Sequence, residues 1–175
     1  PEIVPGPKEF YAAVGPSWGW AQNAPFRRYK SWAHEGGIAT PCIAWWPGQV
    51  PAGKITQEVG HIIDFMPTFL ELASGQYPKN YKGEKILPVE GKSLVSVLKG
   101  GKRKPHDQIA WEWSGNRALR EGKWKLVWDK LDRKWSLFDL EADRTETTDL
   151  ATANTKRVLR MTTSWFAWAE KCQFK

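Results

Sequence analysis

Residues 30–41 read Lys-Ser-Trp-Ala-His-Glu-Gly-Gly-Ile-Ala-Thr-Pro and lead directly into an apolar run, Cys42 to Trp46, that ends at Pro47-Gly48. Apolar residues bounded by turn residues predict a buried strand over residues 38–46. The Glu35-Gly36-Gly37 turn before this strand is expected to place the side chain of Lys30 on a loop at the mouth of a sheet. Open α/β sheets bind ligands at this position, which makes Lys30 the first candidate functional residue.

The composition is that of a globular protein with an excess of positive charge. The chain has 175 residues, 41% of them hydrophobic and 26% charged, and its formal net charge is +7. The charge favours anionic partners such as an acidic polysaccharide, a sulfate ester or a phosphate ester. Nucleic acid is not favoured, because the basic residues are scattered and no nucleic-acid-binding motif accompanies them. The 12 tryptophans also suit contact with sugar rings.

The sequence contains no membrane span, signal peptide or cysteine framework. No stretch approaches the ~20 apolar residues that a membrane-spanning helix needs. Because the chain begins with Pro1 rather than Met, it is expected to be a piece of a longer protein. Cys42 and Cys172 are too few for a disulfide framework or a metal cluster, and Cys42 is expected to be a small hydrophobic residue of the strand.

Residues 1–106 predict one part of an α/β domain. Residues 1–29 are rich in Gly and Pro and are expected to be irregular. Residues 61–73 predict a helix with Asp64 as N-cap and with one apolar face made by Ile62, Phe65, Phe69 and Leu72. A shorter helix is expected over residues 93–98. One strand and one helix do not make a stable α/β layer, so the remaining strands are expected upstream.

Residues 107–175 predict a self-contained α+β subdomain. Short strands are expected at 109–113, 118–120, 124–128 and 134–139, joined by tight turns. Trp124, Leu126 and Trp128 alternate with Lys125 and Val127, which predicts a sheet with one buried face. Residues 155–171 predict an amphipathic helix that packs on this sheet. The resulting fold is α/β with a C-terminal four-stranded antiparallel sheet packed by a helix.

Five sequence elements, in order, resemble motifs of the formylglycine-dependent (type I), arylsulfatase-like sulfatases and extend over nearly the whole chain from Pro25. They are Lys30…Glu35-Gly36-Gly37…Pro41, the segment from Val59 to Ala73 with Asp64, Pro67 and Thr68, Gly91-Lys92-Ser93-Leu94, Asn116-Arg117-Ala118-Leu119-Arg120-Glu121-Gly122-Lys123-Trp124-Lys125-Leu126, and Leu137-Phe138-Asp139-Leu140…Asp143…Glu146…Leu150. The resemblance implies the C-terminal portion of an alkaline-phosphatase-like sulfatase fold.

Several features depart from the family pattern. His34 stands where the family has Tyr, and Arg144 and Asp149 stand where Pro and Asn are usual. The Cys/Ser-x-Pro-x-Arg motif, which yields the formylglycine nucleophile, is absent, since Cys42 is followed by Ile43-Ala44-Trp45. The acidic and amide residues that hold the family's Ca²⁺ are also absent. The resemblance implies that nucleophile and metal ligands lie upstream of Pro1, so this chain alone is expected to be inactive and to supply no metal ligand.

The resemblance assigns a role to Lys30, because the matching lysine of the family contacts the sulfate ester. Glu35 is expected to hold the loop, through hydrogen bonds or an arginine. His34 is a candidate for substrate binding, with a structural role as the alternative. Trp113, Asn116 and Arg117, at a predicted hairpin tip, are further candidates to bind sugar, against the alternative of turn chemistry with Trp113 in the core. His61 is interpreted as a local structural histidine, and His106 receives no role.

The predicted function is therefore that of a sulfatase fragment acting on a sulfate ester, on a sulfated glycan or an aryl sulfate. One alternative is a phosphate or phosphonate ester hydrolase of the same superfamily. The other is a non-catalytic module that binds acidic polysaccharide. By resemblance alone, the whole protein is expected in the periplasm or outside the cell.

Overall fold

The structure, a computed structural model, describes residues 14–174, which form two compact units. One unit combines the N-terminal segment to Thr40 with residues 110–175, and the other comprises residues 41–109. The Lys30 loop thus belongs to the same unit as the C-terminal sheet. The domain boundary predicted at residue 106 stays a prediction.

The centre of the first unit is a four-stranded antiparallel sheet. Its strands β3 (Ile109–Trp113), β4 (Asn116–Glu121), β5 (Trp124–Asp129) and β6 (Lys134–Asp139) are neighbours in chain order. Ser114 and Gly115, between β3 and β4, both have positive φ, as a two-residue hairpin turn with the twist of a sheet requires. The predicted strands and their turns are confirmed to within three residues.

One face of this sheet packs against helix α5 (Thr155–Lys171). Leu119, Leu126 and Leu137 lie side by side across β4, β5 and β6. They are buried against Met161, Trp165 and Ala169 of the helix. The spacing of these three helical residues by four places them on one side of α5, as predicted from the sequence.

The other face of the sheet is also buried, so the expectation of a single buried face is wrong. Ala118, Val127 and Phe138 form a second core with Leu140 and with Ala33 from the Lys30 loop. Lys125, in the middle of this face, is 0% exposed. The loop that carries Lys30 covers this second face. The alternation of residues within β5 does not reveal that a distant loop covers it.

The N-terminal part of the first unit contains two helices, α1 (Gly15–Asn23) and α2 (Glu35–Ile38). Helix α1 corrects the expectation of irregular structure over residues 1–29; residues 1–13 lie outside the described part. The helix has no apolar stripe that sequence periodicity detects, and it is fixed by the close approach of its buried Gly19 to the ring of Tyr29.

The second unit contains a 3₁₀ turn (Ile62–Asp64), helices α3 (Phe65–Leu72) and α4 (Val95–Leu98), and the small hairpin of β1 (Asn80–Tyr81) and β2 (Glu84–Lys85). The two predicted helices are confirmed, but the strand predicted over residues 38–46 is wrong. A strand needs a hydrogen-bonded neighbour, and none of the strands within residues 14–174 pairs with this run. Ile43 and Trp45 are instead exposed, and so is Cys42, whose thiol is free.

The predicted apolar face of α3 is also exposed. Phe69 is 64% and Ile62 74% accessible, while the buried residues of this segment are the polar Asp64 and Thr68. None of the helices between residues 14 and 174 has the length and apolarity to cross a membrane.

Candidate functional site

The candidate site is the loop that carries Lys30, which lies across the second face of the sheet. Lys30 is exposed in a turn, and the backbone on either side of it is left-handed, with φ of 66° at Arg28 and 80° at Ser31. Such conformations are unfavourable for residues with a side chain and persist only where surrounding contacts impose them. The contacts of this loop therefore determine the position of the backbone that carries Lys30.

Two side chains of the sheet hold the loop beside Lys30. The carboxylate of Asp129 accepts a hydrogen bond from the Arg28 guanidinium at 2.6 Å. The amide of Asn116 donates to the carbonyl oxygen of Ser31 at 2.8 Å and accepts from the backbone N–H of Lys130 at 3.2 Å. Burial disfavours the charge of Asp129, but bonds from the Leu131 amide and from Arg28 hold its pKa below the usual value. Arg28, two residues before Lys30, and Ser31, directly after it, are thus both bound to the same face of the sheet.

A buried charge cluster holds the end of the loop. The ammonium of Lys125 lies 2.8 Å from Glu35 Oε1 and 2.9 Å from Glu146 Oε1, and both carboxylates are buried. Glu146 Oε2 also accepts the backbone N–H of Glu35 at 2.7 Å. The exposed side chain of Arg144 approaches Glu35 at 3.6 Å. The expectation that Glu35 holds the loop is met by these contacts, with a lysine as its main partner.

The pKa values of the two carboxylates in this cluster are shifted in opposite directions. Burial raises the pKa of Glu146, and the attraction of Lys125 does not cancel this effect. Burial acts in the same direction on Glu35, but the positive charges of Lys125, Arg120 and Arg144 together set its pKa below the usual value. Glu35 is therefore the firmly ionised partner of Lys125.

Gly36 and Gly37, in the short helix α2, allow the backbone of the loop to pass close to itself. A Cβ atom on Gly36 would lie 2.2 Å from the carbonyl oxygen of Arg28, and one on Gly37 would lie 2.0 Å from that of Trp32. Neither position has room for a side chain, since contacts this short with backbone atoms require the chain to move. The Glu-Gly-Gly pattern in the sequence is thus a packing requirement of the loop.

The predicted substrate-binding residues do not form one surface. His34 is 2% exposed and packs beside Phe138, with ring centroids 6.2 Å apart. Burial, with the nearby charges of Lys125 and Arg27, lowers the pKa of His34 to about 3, so the ring is neutral. Asn116 is buried under the loop. Arg117 points to the opposite sheet face, where its guanidinium lies 4.8 Å from the ring centroid of Trp165. Trp113 is 66% exposed rather than in the core.

The roles of His34, Trp113, Asn116 and Arg117 in substrate binding stay predictions.

Lys125 and Glu146 have the clearest structural role, yet sequence reasoning gave them none. Both belong to elements that resemble family motifs, Trp124-Lys125-Leu126 and the segment from Leu137 to Leu150. A lysine between two large apolar residues is the one signal available in the sequence, and it also fits the exposed face of a strand.

The second unit has its own buried polar centre at Asp64. Its carboxylate accepts hydrogen bonds from Arg103 Nη2 and His106 Nε2, both at 2.7 Å, and from the backbone N–H groups of His61 and Lys92, both at 2.8 Å. Burial opposes ionisation, but the bonds from Arg103, Lys92, His61 and His106 lower the pKa of Asp64 to about 2. Asp64 thus acts as an anchor for residues 92–106 rather than as a side-chain N-cap of α3, and His106 gains a structural role.

Comparisons with known proteins identify the family. Residues 26–164 match the family described as N-sulphoglucosamine sulphohydrolase, C-terminal. The chain belongs to the sulfatase family. An uncharacterized sulfatase of Schizosaccharomyces pombe is 34% identical over 78% of the chain and 26% of its own length. A sulfatase of Formosa agariphila is 30% identical over 93% of the chain and 32% of its own length.

Solved structures confirm the sulfatase fold. Ps i-CgsB has a TM-score of 0.64 at 24% identity, over 84% of this chain and 32% of that protein. A Bacteroides thetaiotaomicron structure from work on the metabolism of multiple glycosaminoglycans gives 0.66 at 21% identity, over 81% and 31%. The predicted C-terminal part of an alkaline-phosphatase-like sulfatase fold is thereby confirmed. The chain spans about a quarter to a third of the length of these relatives.

The described acidic and histidine side chains of this sulfatase chain do not fit a metal centre. Within residues 14–174, no group of three or more His, Cys, Asp or Glu side chains is placed to hold a metal ion. The carboxylates near the loop, those of Glu35, Asp129 and Glu146, are engaged by Lys125 and Arg28, which compete with any cation. We therefore derive no catalytic step through Ca²⁺ from these residues.

Replacing Lys125 with Met is expected to destabilise the protein by about 3–5 kcal/mol, because Glu35 and Glu146 would remain buried without their cation. Urea denaturation of the protein that contains this chain measures the change. Lys134→Met is the matched control, since Lys134 lies on β6 with a 60% exposed side chain and a 3.6 Å pair to Asp149. A Lys125→Met variant as stable as Lys134→Met would show that the cluster does not hold the loop.

Replacing Asp64 with Asn is expected to weaken the anchoring of residues 92–106, and the loss should depend on pH. Because the pKa of Asp64 is depressed to about 2, its stabilising effect is complete above the unfolded pKa of about 4 and disappears as the pH falls towards 2. It amounts to about 2 kcal/mol. Hydrogen exchange at the Lys92 amide is the measurement, with exposed Glu71→Gln as control. A difference between Asp64→Asn and wild type that stays constant from pH 5 to 2 would contradict this assignment.

Proposed function

We propose that the protein containing this chain hydrolyses sulfate esters of glycans and that Lys30 contacts the sulfate group. The observation that carries the proposal is an exposed ammonium on a loop whose neighbouring residues are fixed by Asp129 and Asn116. Membership of the sulfatase family and the net charge of +7 support it.

The chemistry gives Lys30 a defined task. Cleavage of a sulfate ester moves negative charge onto the sulfate oxygens and the leaving oxygen. An ammonium near these atoms stabilises the transition state more than the ground state, because the negative charge is larger there. The long side chain of lysine allows the charge to reach the ester while its backbone stays bound to the sheet.

The proposal of a glycan as substrate is supported by named relatives. The N-acetylgalactosamine-6-sulfatase of Sus scrofa is 41% identical over 66% of this chain and 21% of its own length. The name of that enzyme describes a sulfated amino sugar, and an aryl sulfate would be a smaller substitute for such a substrate. The phosphoester hydrolase and the non-catalytic binding module are not favoured, since the matching family and relatives are sulfatases.

We also propose that an upstream part of the same protein completes the enzyme. That part would supply a formylglycine nucleophile and Ca²⁺ ligands, which this chain lacks in sequence and in described geometry. Exposed Ile43, Trp45 and Phe69 on the second unit support the proposal, because apolar surface of this kind is normally covered. By family resemblance, the complete enzyme would act in the periplasm or outside the cell, which fractionation of the source cells tests.

Replacing Lys30 with Ala in the full-length protein is expected to lower kcat for sulfate release by about 10²–10³-fold, the usual cost of removing a group that stabilises developing charge. Sulfate release from a sulfated saccharide is the assay. Exposed Lys156→Ala on α5 is the control and should keep full activity. A kcat of Lys30→Ala within twofold of the wild-type value would contradict a catalytic role for this residue.

Peptide mapping of the native protein tests the upstream part. We expect a mature chain well above 20.0 kDa that contains a Cys/Ser-x-Pro-x-Arg peptide with the mass of the aldehyde. A mature chain beginning at Pro1 would contradict the proposal and favour a binding module without catalysis.

A further inference from the structure

Helix α1 places a tryptophan beside the Lys30 loop. A Cβ atom on Gly19 would lie only 3.2 Å from the ring of Tyr29, so the helix backbone lies directly against this ring. The neighbouring Trp20 meets Tyr29 edge-to-face, with centroids 6.1 Å apart. Tyr29 directly precedes Lys30, and consecutive Cα atoms are about 3.8 Å apart. Trp20 is therefore attached to the loop at the residue next to the proposed sulfate-binding lysine.

The same region carries cations that border the aromatic rings. The guanidinium of Arg28 lies 5.8 Å from the ring centroid of Trp20 and 4.3 Å from that of Trp32. The ammonium of Lys130 lies 5.7 Å from the ring centroid of Trp32. Asp129 compensates Arg28, whereas neither exposed lysine, Lys30 or Lys130, pairs with a carboxylate within residues 14–174. Two positive charges thus remain available to an anionic ligand.

Trp20 retains a usable surface after these contacts. It is 43% exposed although Tyr29 and Arg28 already touch it. An indole offers a wide apolar face with few rotatable bonds, and the C–H face of a pyranose ring fits such a surface. Lys30 would contact the ester, and sulfate or carboxylate groups elsewhere on the saccharide would meet the ammonium of Lys130, which lies beside Trp32.

We propose that Trp20, which contacts Tyr29 beside Lys30, is a subsite that binds a sugar ring of an anionic saccharide next to the ester being hydrolysed, with Lys130 as a cation for the anionic groups of that saccharide. This inference rests on the proposed function for the position of the ester, but the binding itself does not require turnover. The subsite would separate glycans from simple aryl sulfates, because a substrate with a single ring at the ester has no second ring to place on Trp20.

The test compares two tryptophans of α1 in the full-length protein. Residues two apart on a helix are related by a rotation of about 200° about its axis, so they lie on nearly opposite sides. Trp18, which is 66% exposed, is therefore a matched control for Trp20. Calorimetry with a sulfated disaccharide should show Kd about tenfold higher for Trp20→Ala, the equivalent of losing one aromatic contact. Trp18→Ala should bind as wild type does, and Trp20→Phe should keep most of the affinity.

Two further measurements test the subsite: the substrate preference of Trp20→Ala and the affinity of Lys130→Gln for a sulfated saccharide. The ratio of kcat/KM for the disaccharide to that for an aryl sulfate should fall about tenfold in Trp20→Ala, which a general folding defect would not change. Lys130→Gln should weaken binding of the sulfated disaccharide but not of its desulfated form. An unchanged Kd in Trp20→Ala, or an equal loss in Trp18→Ala, would overturn the subsite. Disaccharide binding that depends on Trp20 without any sulfate release would support the subsite and refute the proposed hydrolysis.

Discussion

The buried ammonium of Lys125 is the interaction on which the arrangement of the first unit depends. It lies between Glu35 of the loop and Glu146 of the segment that follows the sheet, at 2.8 and 2.9 Å. Transfer of these charges from water is costly, and only close pairing offsets that cost. The cluster therefore exists only when the loop, the sheet and the Glu146 segment are all in place, which couples residues far apart in sequence. The loop cannot leave the sheet without exposing Lys125 and both carboxylates to a new environment.

The sheet face that carries Lys125 also carries the other residues that bind the loop. Lys125, Val127 and Asp129 alternate along β5, and Ala118 pairs with Val127 while Asn116 begins the adjacent strand. Period-two alternation thus places an ion-pairing residue at each end of a short apolar patch. Asp129 binds the side chain of Arg28 and Asn116 binds the backbone of Ser31, and Lys125 fixes the loop at Glu35, five residues after Lys30. A C-terminal sheet remote in sequence consequently sets the position of the candidate catalytic lysine.

The sequence predicted the parts of the fold that local signals specify. Strands β3 to β6 and helix α5 have alternation, tight turns or a helical stripe within their own residues, and all were predicted closely. The predictions for Cys42 to Trp46 and for the apolar face of α3 depended on partners that residues 14–174 do not provide. Of the site, the position of Lys30 on a loop was predictable from its motif. The roles of Lys125 and Asn116 were not, because burial of a polar side chain follows from a distant loop that covers it rather than from neighbouring residues.

The buried charge centres at Asp64 and at Lys125, both within residues 14–174, differ in electrostatic balance, and this difference determines how each responds to acid. Asp64 is one carboxylate among several donors, and its pKa of about 2 keeps it ionised in weak acid. Glu146 shares one cation with Glu35, and burial raises its pKa. For a carboxyl group with a raised pKa, stability is greatest below the unfolded pKa and is lost as the pH rises through the folded value. Protonation of Glu146 removes the surplus negative charge and leaves Lys125 and Glu35 as a one-to-one pair, so a fall in pH favours the cluster that holds the loop. The same change of pH leaves the anchor at Asp64 intact, because its own loss begins only below the unfolded pKa of an aspartate.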